Sequence, residues 1–428
     1  MLSCIIITTN SYANIPKLVD DSMCVPEVIP IFVTTRIFNV IKQMLRNTAL
    51  SLKSFLESDR FITIFIFLVC SRTIIGQTYS FSGAIGKYHI YLQMTIDGSQ
   101  ASGYYFYKNK LVDLSLAGSF KSGLVTLSSS DEYTVETTDP ELFKFKWPSK
   151  TIQGTWFKKG KSLPLKLTPV TAKETASPKC SNPHLIKSNI LKNDLTRVKI
   201  GLFRLKEVDS VKTINHIKVR HFKEVLTGIK LFRIDSGMVA DKQKDANSYL
   251  EYLQISEFLE SLSCASYSTY GSEYSFGLTS LSLSCDFMCF SVFKTYFCGG
   301  AHPNEDNYAV NYNLNTRETV SWSDYLITGK DTIYNERIYA YLVKSEPGYF
   351  NESNSTESAD VYSDCNYRER DLWFDCDFVF TTNGVKLLPS FAHFAAFCLE
   401  PDWAIIPYSE LREFIKPEYY SKLTGLKN

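Results

Sequence analysis

The chain has 428 residues, a net charge of +1 and an aromatic content of 14%. This length exceeds what one ordinary hydrophobic core accommodates, so two or three domains are expected. The balanced charge excludes a global electrostatic attraction to nucleic acid, which is therefore not an expected partner. The 29 phenylalanines and 26 tyrosines are sufficient to build β-rich cores.

The amino-terminal region predicts export. An apolar core covers residues 61–69, Arg60 precedes it, and Gly76 provides a small residue before Gln77. Basic, apolar and small-residue segments in this order are typical of a secretory signal peptide. The apolar core is too short to span a bilayer comfortably, so no retained transmembrane helix is expected.

The signal-peptide region is predicted to cover residues 1–76. This is too long for a signal peptide that begins at the first residue, so we predict that translation starts at Met44. The mature protein then begins near Gln77. Cys70 does not follow the small residue that a lipoprotein site requires, and a lipid anchor is therefore not expected.

Residues 77–170 predict a small antiparallel β module. Alternating apolar residues over 88–96 lead into the turn Asp97-Gly98, and further turn residues recur about every eight to twelve positions. This spacing is typical of a sandwich or a barrel. The next segment, 171–196, is rich in Pro, Ser, Lys and Asn with little periodicity, and it is predicted to be a linker.

The second half of the chain predicts mixed helices and strands. An α+β subdomain is expected over 197–290, with apolar residues at helical spacing over 247–262. Two long strand patterns follow at 274–285 and 287–297. Residues 291–428 are predicted to form the carboxy-terminal domain.

One stretch departs from the balanced charge. Residues 186–230 carry eleven lysines and arginines against four acidic residues. An anionic surface or a glycan is one partner that such a stretch would attract, and a solvated face is the alternative.

Eight cysteines follow residue 77, and an exported chain is expected to form some disulfides. Cys365 and Cys376 flank a short polar turn and are the predicted pair. Cys285 and Cys289 share one strand face about 13 Å apart, which is too far for a bond. The cysteines and histidines lack the short spacings of zinc sites, so neither a metal nor a cofactor is predicted.

The segment 296–304, with the sequence YFCGGAHPN, interrupts the strand pattern with a tight turn. Two adjacent glycines permit backbone angles that other residues avoid, and they allow another group to approach the main chain closely. The histidine beyond them is open to a structural, a ligand-binding or a catalytic interpretation. The candidate ligand-binding residues are Tyr296, Gly299, Gly300, His302 and Asn304.

Catalysis at this turn would require partners for His302. Glu305 and Asp306 would be near enough if the loop folded back, but the chain contains neither a nucleophile elbow nor a phosphate-binding loop. Asp375 and Asp377 share a strand face, and an isolated pair of this kind is usually solvated. No catalytic residue is therefore predicted.

The turn and three later segments resemble a bacterial extracytoplasmic domain family of unknown function. The family includes the carboxy-terminal domain of the anti-sigma factor RsiV and the accessory domain of the deacetylase PdaC. The later segments are 312–326, 378–385 and 404–411, in the same order as in the family. The resemblance extends over about residues 197–415, and it implies an α+β fold of antiparallel sheets packed on helices.

The resemblance also implies a role outside the cytoplasm, because members bind lysozyme as a signal or accompany peptidoglycan enzymes. This chain has neither an anti-sigma segment nor a deacetylase domain. We therefore predict a secreted, periplasmic or cell-envelope protein that recognises a cell-wall component such as peptidoglycan, or a lysozyme-like protein, without catalysis. A hydrolase acting on cell-wall glycans and a structural envelope protein are the alternatives.

Overall fold

The protein is described from a computed structural model. The structure describes residues 76–129, 140–267, 272–299, 302–350, 365–374, 376–391 and 398–426. The predicted translation start at Met44 and nearly all of the predicted signal-peptide region 1–76 lie outside the described residues. The described part is mostly β, with a closed barrel followed by further sheets and helices.

The predicted β module is a closed antiparallel barrel. Each strand pairs with the next along the chain, and the last strand closes on the first through pairs such as Phe81 with Pro169. The strands are β1 (Gln77–Ile85), β2 (Tyr88–Asp97), β3 (Gln100–Tyr107), β4 (Leu114–Lys121), β5 (Leu124–Ser129), β6 (Leu142–Lys146), β7 (Ile152–Lys158) and β8 (Lys161–Pro169). Large inward side chains such as Tyr105 and Phe143 are fully buried, so the interior is a packed core.

The predicted linker over 171–196 is instead a folded helical segment. It contains α1 (Ala172–Thr175), α2 (Pro183–Lys187) and the start of α3 (Asp194–Leu202), with short 3₁₀ turns between them. Leu185 and Leu191 are buried in the same core as the outer face of the barrel. Helices this short show no clear apolar period, which is why the sequence pattern did not predict them. The local sign of such a helix is its cap: Asn182 Oδ1 accepts the N–H of His184 at 3.0 Å.

A three-stranded sheet and one long helix follow. The sheet has the order β11–β10–β9, from β9 (Leu205–Ile214), β10 (Ile217–Glu224) and β11 (Lys230–Ser236). The helix predicted over 247–262 is confirmed and extends as α4 (Ala240–Tyr267). Gln254 fixes it to the sheet, because its Nε2 donates to the carbonyls of Phe222 and Ile229, both at 3.0 Å.

The next sheet lies between two hydrophobic cores. Its order is β12 (Glu273–Leu283), β13 (Phe287–Phe297), β14 (Asn304–Asn313) and β15 (Glu318–Thr319). On β13, Met288 and Phe290 face the core shared with α4, whereas Phe287 and Cys289 face the carboxy-terminal core. The boundary predicted between residues 290 and 291 falls inside β13, a strand whose side chains contribute to both cores.

The carboxy-terminal core packs short helices on a third sheet, ordered β16–β17–β18. Its elements are α5 (Trp322–Tyr325), α6 (Asp331–Ser345), α7 (Pro347–Phe350), β16 (Asp377–Phe380), β17 (Gly384–Leu388), β18 (Ile405–Pro407), α8 (Tyr408–Leu411) and α9 (Pro417–Leu423). Asn311 joins β14 to β16, since its Nδ2 donates to the carbonyl of Phe378 at 2.7 Å and its Oδ1 accepts the N–H of Phe380 at 2.8 Å. Within the described ranges, no helix has both the length and the apolar character that crossing a bilayer requires.

Among the described cysteines, two disulfides form, Cys264–Cys298 and Cys365–Cys398. The predicted pair Cys365–Cys376 is therefore wrong. Tyr367 explains the observed choice, because its hydroxyl donates to the carbonyl of Cys398 at 3.0 Å and so holds that residue against the segment of Cys365. The Cys376 thiol is buried, with its Sγ 3.5 Å from the carbonyl of Trp373.

Two histidines have buried ring nitrogens that find no hydrogen-bond partner among the described residues, Nε2 of His184 and Nδ1 of His221. Desolvation lowers the pKa of both rings. For His221, the neighbouring charges of Lys230 and Lys212 lower the pKa further. Burial of the two rings in the folded protein therefore favours their neutral form.

We expect the free energy of unfolding to fall as the pH drops below about 6.5, because a histidine with a lowered folded pKa binds protons more readily when unfolded. The contribution is complete above the unfolded pKa and is lost as the pH falls through the folded pKa. Urea midpoints at about pH 7.5 and 5.5 measure it. Between these two pH values, His221→Leu should lose less stability than the wild type loses. His89→Leu, at an exposed position, should lose as much as the wild type. Equal losses in the two variants would contradict the assignment.

Candidate functional site

The predicted turn joins β13 to β14. Tyr296 and Asn304 are the last register pair of the two strands, so these candidate residues lie side by side. Gly299 has a φ of +96°, which glycine adopts without steric cost. Gly300 lies outside the described residues. The structure thus brings Tyr296, Gly299 and Asn304 to one end of the hairpin.

His302 is exposed in this turn, and its Nδ1 lies 3.0 Å from the carbonyl oxygen of Pro303. A contact between the ring and the backbone is what a structural role in the turn requires. Glu305 and Asp306 are successive residues of β14, so their side chains project to opposite faces of the sheet. The two carboxylates therefore do not converge on His302 from the same side.

A disulfide ties the turn to the long helix. Cys298 follows β13 directly, and it bonds Cys264 in the last turns of α4, 34 residues earlier. The sequence indicated that disulfides form, but it did not indicate this pair. The bond holds the exposed end of the hairpin against a helix that is packed on two sheets.

Lys294 is the centre of a group of charged and aromatic side chains below the turn. Its side chain is 9% exposed, and its Nζ lies 3.0 Å from Glu260 Oε1 and 4.0 Å from Asp306 Oδ2. The same Nζ lies 5.4 Å from the ring centroid of Tyr296 and 6.0 Å from that of Tyr274. Lys294 therefore connects α4, β12, β13 and β14.

Glu257 lies deeper in the same group and is 5% exposed. Its carboxylate accepts the hydroxyls of Tyr274 at 2.6 Å and Tyr308 at 3.0 Å. Desolvation raises the pKa of Glu257. Desolvation also raises the pKa of Tyr274 and Tyr308, and the negative charge of Glu257 raises both further. Burial alone would lower the pKa of Lys294, but Glu257 and the carboxylates of Glu260 and Asp306 outweigh burial and raise it.

These residues form what we term the hairpin-end cluster. Its members are Glu257, Glu260, Tyr274, Lys294, Tyr296, Asp306 and Tyr308. Sequence reasoning selected only Tyr296 as a binding residue, although the spacing of three between Glu257 and Glu260 places both on one helix face. With three carboxylates and one lysine, the cluster presents negative charge and tyrosine rings.

The sequence also offered Asp375 and Asp377 as a pair of carboxylates. Asp375 lies outside the described residues. Asp377 begins β16, where burial raises its pKa and the nearby Asp306 acts in the same direction, whereas a hydrogen bond from the backbone of Ala309 opposes them. In the described part of the chain, no three His, Cys, Asp or Glu residues are grouped so as to hold a metal ion.

We expect Lys294→Met to lower the free energy of unfolding by about 1–3 kcal/mol at neutral pH, because it leaves Glu257 and Glu260 without their cation. The loss should shrink near pH 4, where the carboxylates bind protons. Urea unfolding at both pH values measures the change. Lys218→Met, at an exposed position of β10, is the matched control and should have little effect. A similar loss in both variants would contradict the role of Lys294.

No protein-family model matches the chain, and no curated protein matches it. Among solved structures, a DUF3298 family protein from Pseudomonas aeruginosa PAO1 is similar, with 14% identity and a TM-score of 0.31. That match covers 50% of this chain and 95% of the other. A member of the DUF3298 family from Bacteroides fragilis NCTC 9343 has 10% identity and a TM-score of 0.30, covering 52% of this chain and 96% of the other. Structural neighbours of this chain thus include proteins of a domain family of unknown function.

Proposed function

We propose that this protein is an exported, envelope-associated recognition protein that binds a basic protein of the lysozyme type without catalysing a reaction. The hairpin-end cluster is the proposed contact surface. The observation that carries the proposal is its composition: carboxylates and tyrosines surround one lysine, at the end of a hairpin that a disulfide holds against α4.

Export is supported by the two disulfides, because such bonds persist mainly in oxidising compartments. The basic, apolar and small-residue order before Gln77 supports it independently. Amino-terminal sequencing of the secreted protein should begin near Gln77. Residues before position 60 in the mature protein would contradict the predicted signal peptide.

The charge of the cluster favours a basic partner. The side chains of Glu260 and Asp306 are 50% and 52% exposed, so both carboxylates are accessible to a partner. Complementary charges accelerate association and select partners, and tyrosines are enriched at the centres of protein interfaces. Tyr274 and Tyr296 are half-buried, with ring centroids 6.3 Å apart, so they provide adjoining aromatic contact area.

Recognition is favoured over catalysis by the burial of Glu257. This carboxylate has the raised pKa that a general acid needs, but both of its oxygens accept tyrosine hydroxyls and the residue is nearly inaccessible. A hydrolase acting on cell-wall glycans remains the alternative, because tyrosine rings also stack on sugars.

The test is a titration of the full-length protein with a purified basic lysozyme and, separately, with peptidoglycan fragments whose masses are followed. Saturable lysozyme binding with unchanged glycan masses supports the proposal. The double variant Glu260→Gln, Asp306→Asn should weaken that binding about tenfold, and Glu207→Gln, at an exposed position of β9, should not change it. A change in glycan mass would favour the hydrolase, and binding to neither would favour a structural protein.

A separate prediction concerns His302. We expect His302→Ala to lower the free energy of unfolding by about 1 kcal/mol, because the ring contacts the backbone of the turn. Lysozyme binding should then be largely retained. Thermal melts and the same titration measure the two effects. Unchanged stability combined with lost binding would show that His302 contacts the partner instead.

A further inference from the structure

A cleft of about 520 Å³ lies between the barrel and the sheet that follows it. One wall comes from the turn between β1 and β2 and from the end of β3. The other comes from the end of α3 and from the turn between β10 and β11. Its volume falls within the roughly 300–1,000 Å³ of small-molecule sites. The cleft contains no residue of the hairpin-end cluster, so the two sites are separate.

Three cationic side chains line this cleft, those of Lys87, Lys108 and Arg204, and all three residues are exposed. The Nζ of Lys87 lies 5.6 Å from the ring centroid of Tyr88. Lys108 acts electrostatically on Glu174. No carboxylate of the described ranges forms an ion pair with any of the three cations.

Glu224 is the acidic residue in the lining of the cleft, and its side chain forms no ion pair with the three cations. Glu224 is 1% exposed, and its Oε2 accepts the N–H groups of Leu226 at 2.7 Å and Thr227 at 2.6 Å. The hydroxyl of Thr227 donates to the same oxygen at 3.0 Å. Glu224 Oε1 accepts the backbone N–H of Arg204 at 3.4 Å, so both oxygens have partners outside the three cationic side chains. One carboxylate against three cations leaves the cleft with a surplus of positive charge.

Apolar side chains complete the lining. Tyr88 is 50% exposed, Val225 64% and Leu226 44%, although each is large and hydrophobic. Leu111 and Leu202 are more deeply buried and also line the cleft. Exposed hydrophobic residues that surround a concave surface mark binding sites more often than scattered ones do.

We propose that this cleft binds a single-chain amphiphile with an anionic head group, either a carboxylate or a phosphate monoester. Arg204 and Lys87 contact the head group, because charge-assisted hydrogen bonds to oxygen anions are the strongest that these side chains form. Tyr88 and Leu226 cover the hydrocarbon chain. The concave shape favours one bound molecule over a flat membrane surface, which would leave the interior of the cleft unfilled.

Isothermal titration of the full-length protein tests the proposal with four probes below their micelle concentrations. These are dodecyl phosphate, dodecanoate, the neutral dodecyl maltoside and inorganic phosphate. We expect one-to-one binding of at least one anionic amphiphile. Dodecyl maltoside and inorganic phosphate should bind at least about tenfold more weakly, since each lacks one of the two matching parts. The two anionic probes distinguish the head groups.

Three variants localise the site. Arg204→Gln should weaken binding of the anionic amphiphile about tenfold, and Leu226→Ser should weaken it as well. Lys121→Gln, an exposed lysine at the end of β4, is the matched control and should leave binding unchanged. Equal binding of dodecyl maltoside, or an equal loss in Lys121→Gln, would overturn the proposal. Capture by anionic phospholipid vesicles without saturable binding of the monomeric probes would overturn it too.

Discussion

Replacing Cys264 and Cys298 together by alanine should lower the free energy of unfolding by about 3–4 kcal/mol. The bond joins residues 34 positions apart, so its loss increases the conformational entropy of the unfolded chain. It should also weaken lysozyme binding, because the end of the β13–β14 hairpin is no longer held against α4. Urea unfolding under non-reducing conditions, followed by the lysozyme titration, measures both effects.

Cys285→Ala is the matched control for this experiment. Cys285 is exposed and lies outside both disulfides, so its loss should change stability by less than about 0.5 kcal/mol. The two results would separate the disulfide from a general sensitivity to cysteine replacement. A double variant as stable as the control would show that the bond does not form in solution.

Phe287→Ala and Phe290→Ala should each lower the free energy of unfolding by about 3–5 kcal/mol. Both side chains are fully buried on β13, but they face opposite cores. Since one strand supplies both cores, we expect either substitution to destabilise both. Urea unfolding gives the magnitude, and hydrogen exchange of peptides from β9–β11 and β16–β18 shows how far the effect extends.

Phe157→Ala is the control for the two core substitutions, because Phe157 is 37% exposed on the barrel. Its replacement should lower the free energy of unfolding by less than about 1 kcal/mol. Faster exchange in both peptide groups supports a shared core. If Phe290→Ala accelerated exchange only in β9–β11 and Phe287→Ala only in β16–β18, the two cores would be independent domains. That result would support the boundary predicted near residue 290.

Several elements could be predicted because their signals are local. Alternation over 88–96 corresponds to β2, and the turn Asp97-Gly98 places Gly98 at a φ of +59°. The helical period over 247–262 corresponds to the centre of α4. Such signals depend on side-chain period and on residues that tolerate unusual backbone angles, and both can be read within a few neighbouring positions.

The candidate site was only partly predictable. The turn at 296–304 stands out by its glycines, but Lys294 and Glu257 resemble ordinary charged residues of a strand and a helix. Their importance comes from contacts across 34 and more residues, such as Lys294 with Glu260 and Tyr308 with Glu257. The same limit explains the wrong disulfide, since Cys398 reaches Cys365 only after β16 and β17 have folded back.

The amino-acid sequence by itself determined the β-rich composition, the strand pattern of the first module, the helical pattern over 247–262, and the position of the glycine turn with His302. Each of these follows from interactions between near neighbours. Tertiary structure alone decided that the first module closes into a barrel, that β13 is shared by two cores, and that a buried carboxylate and lysine lie beneath the turn. Those features depend on contacts between distant segments, which form only when burial of apolar surface offsets the entropy of closing long loops.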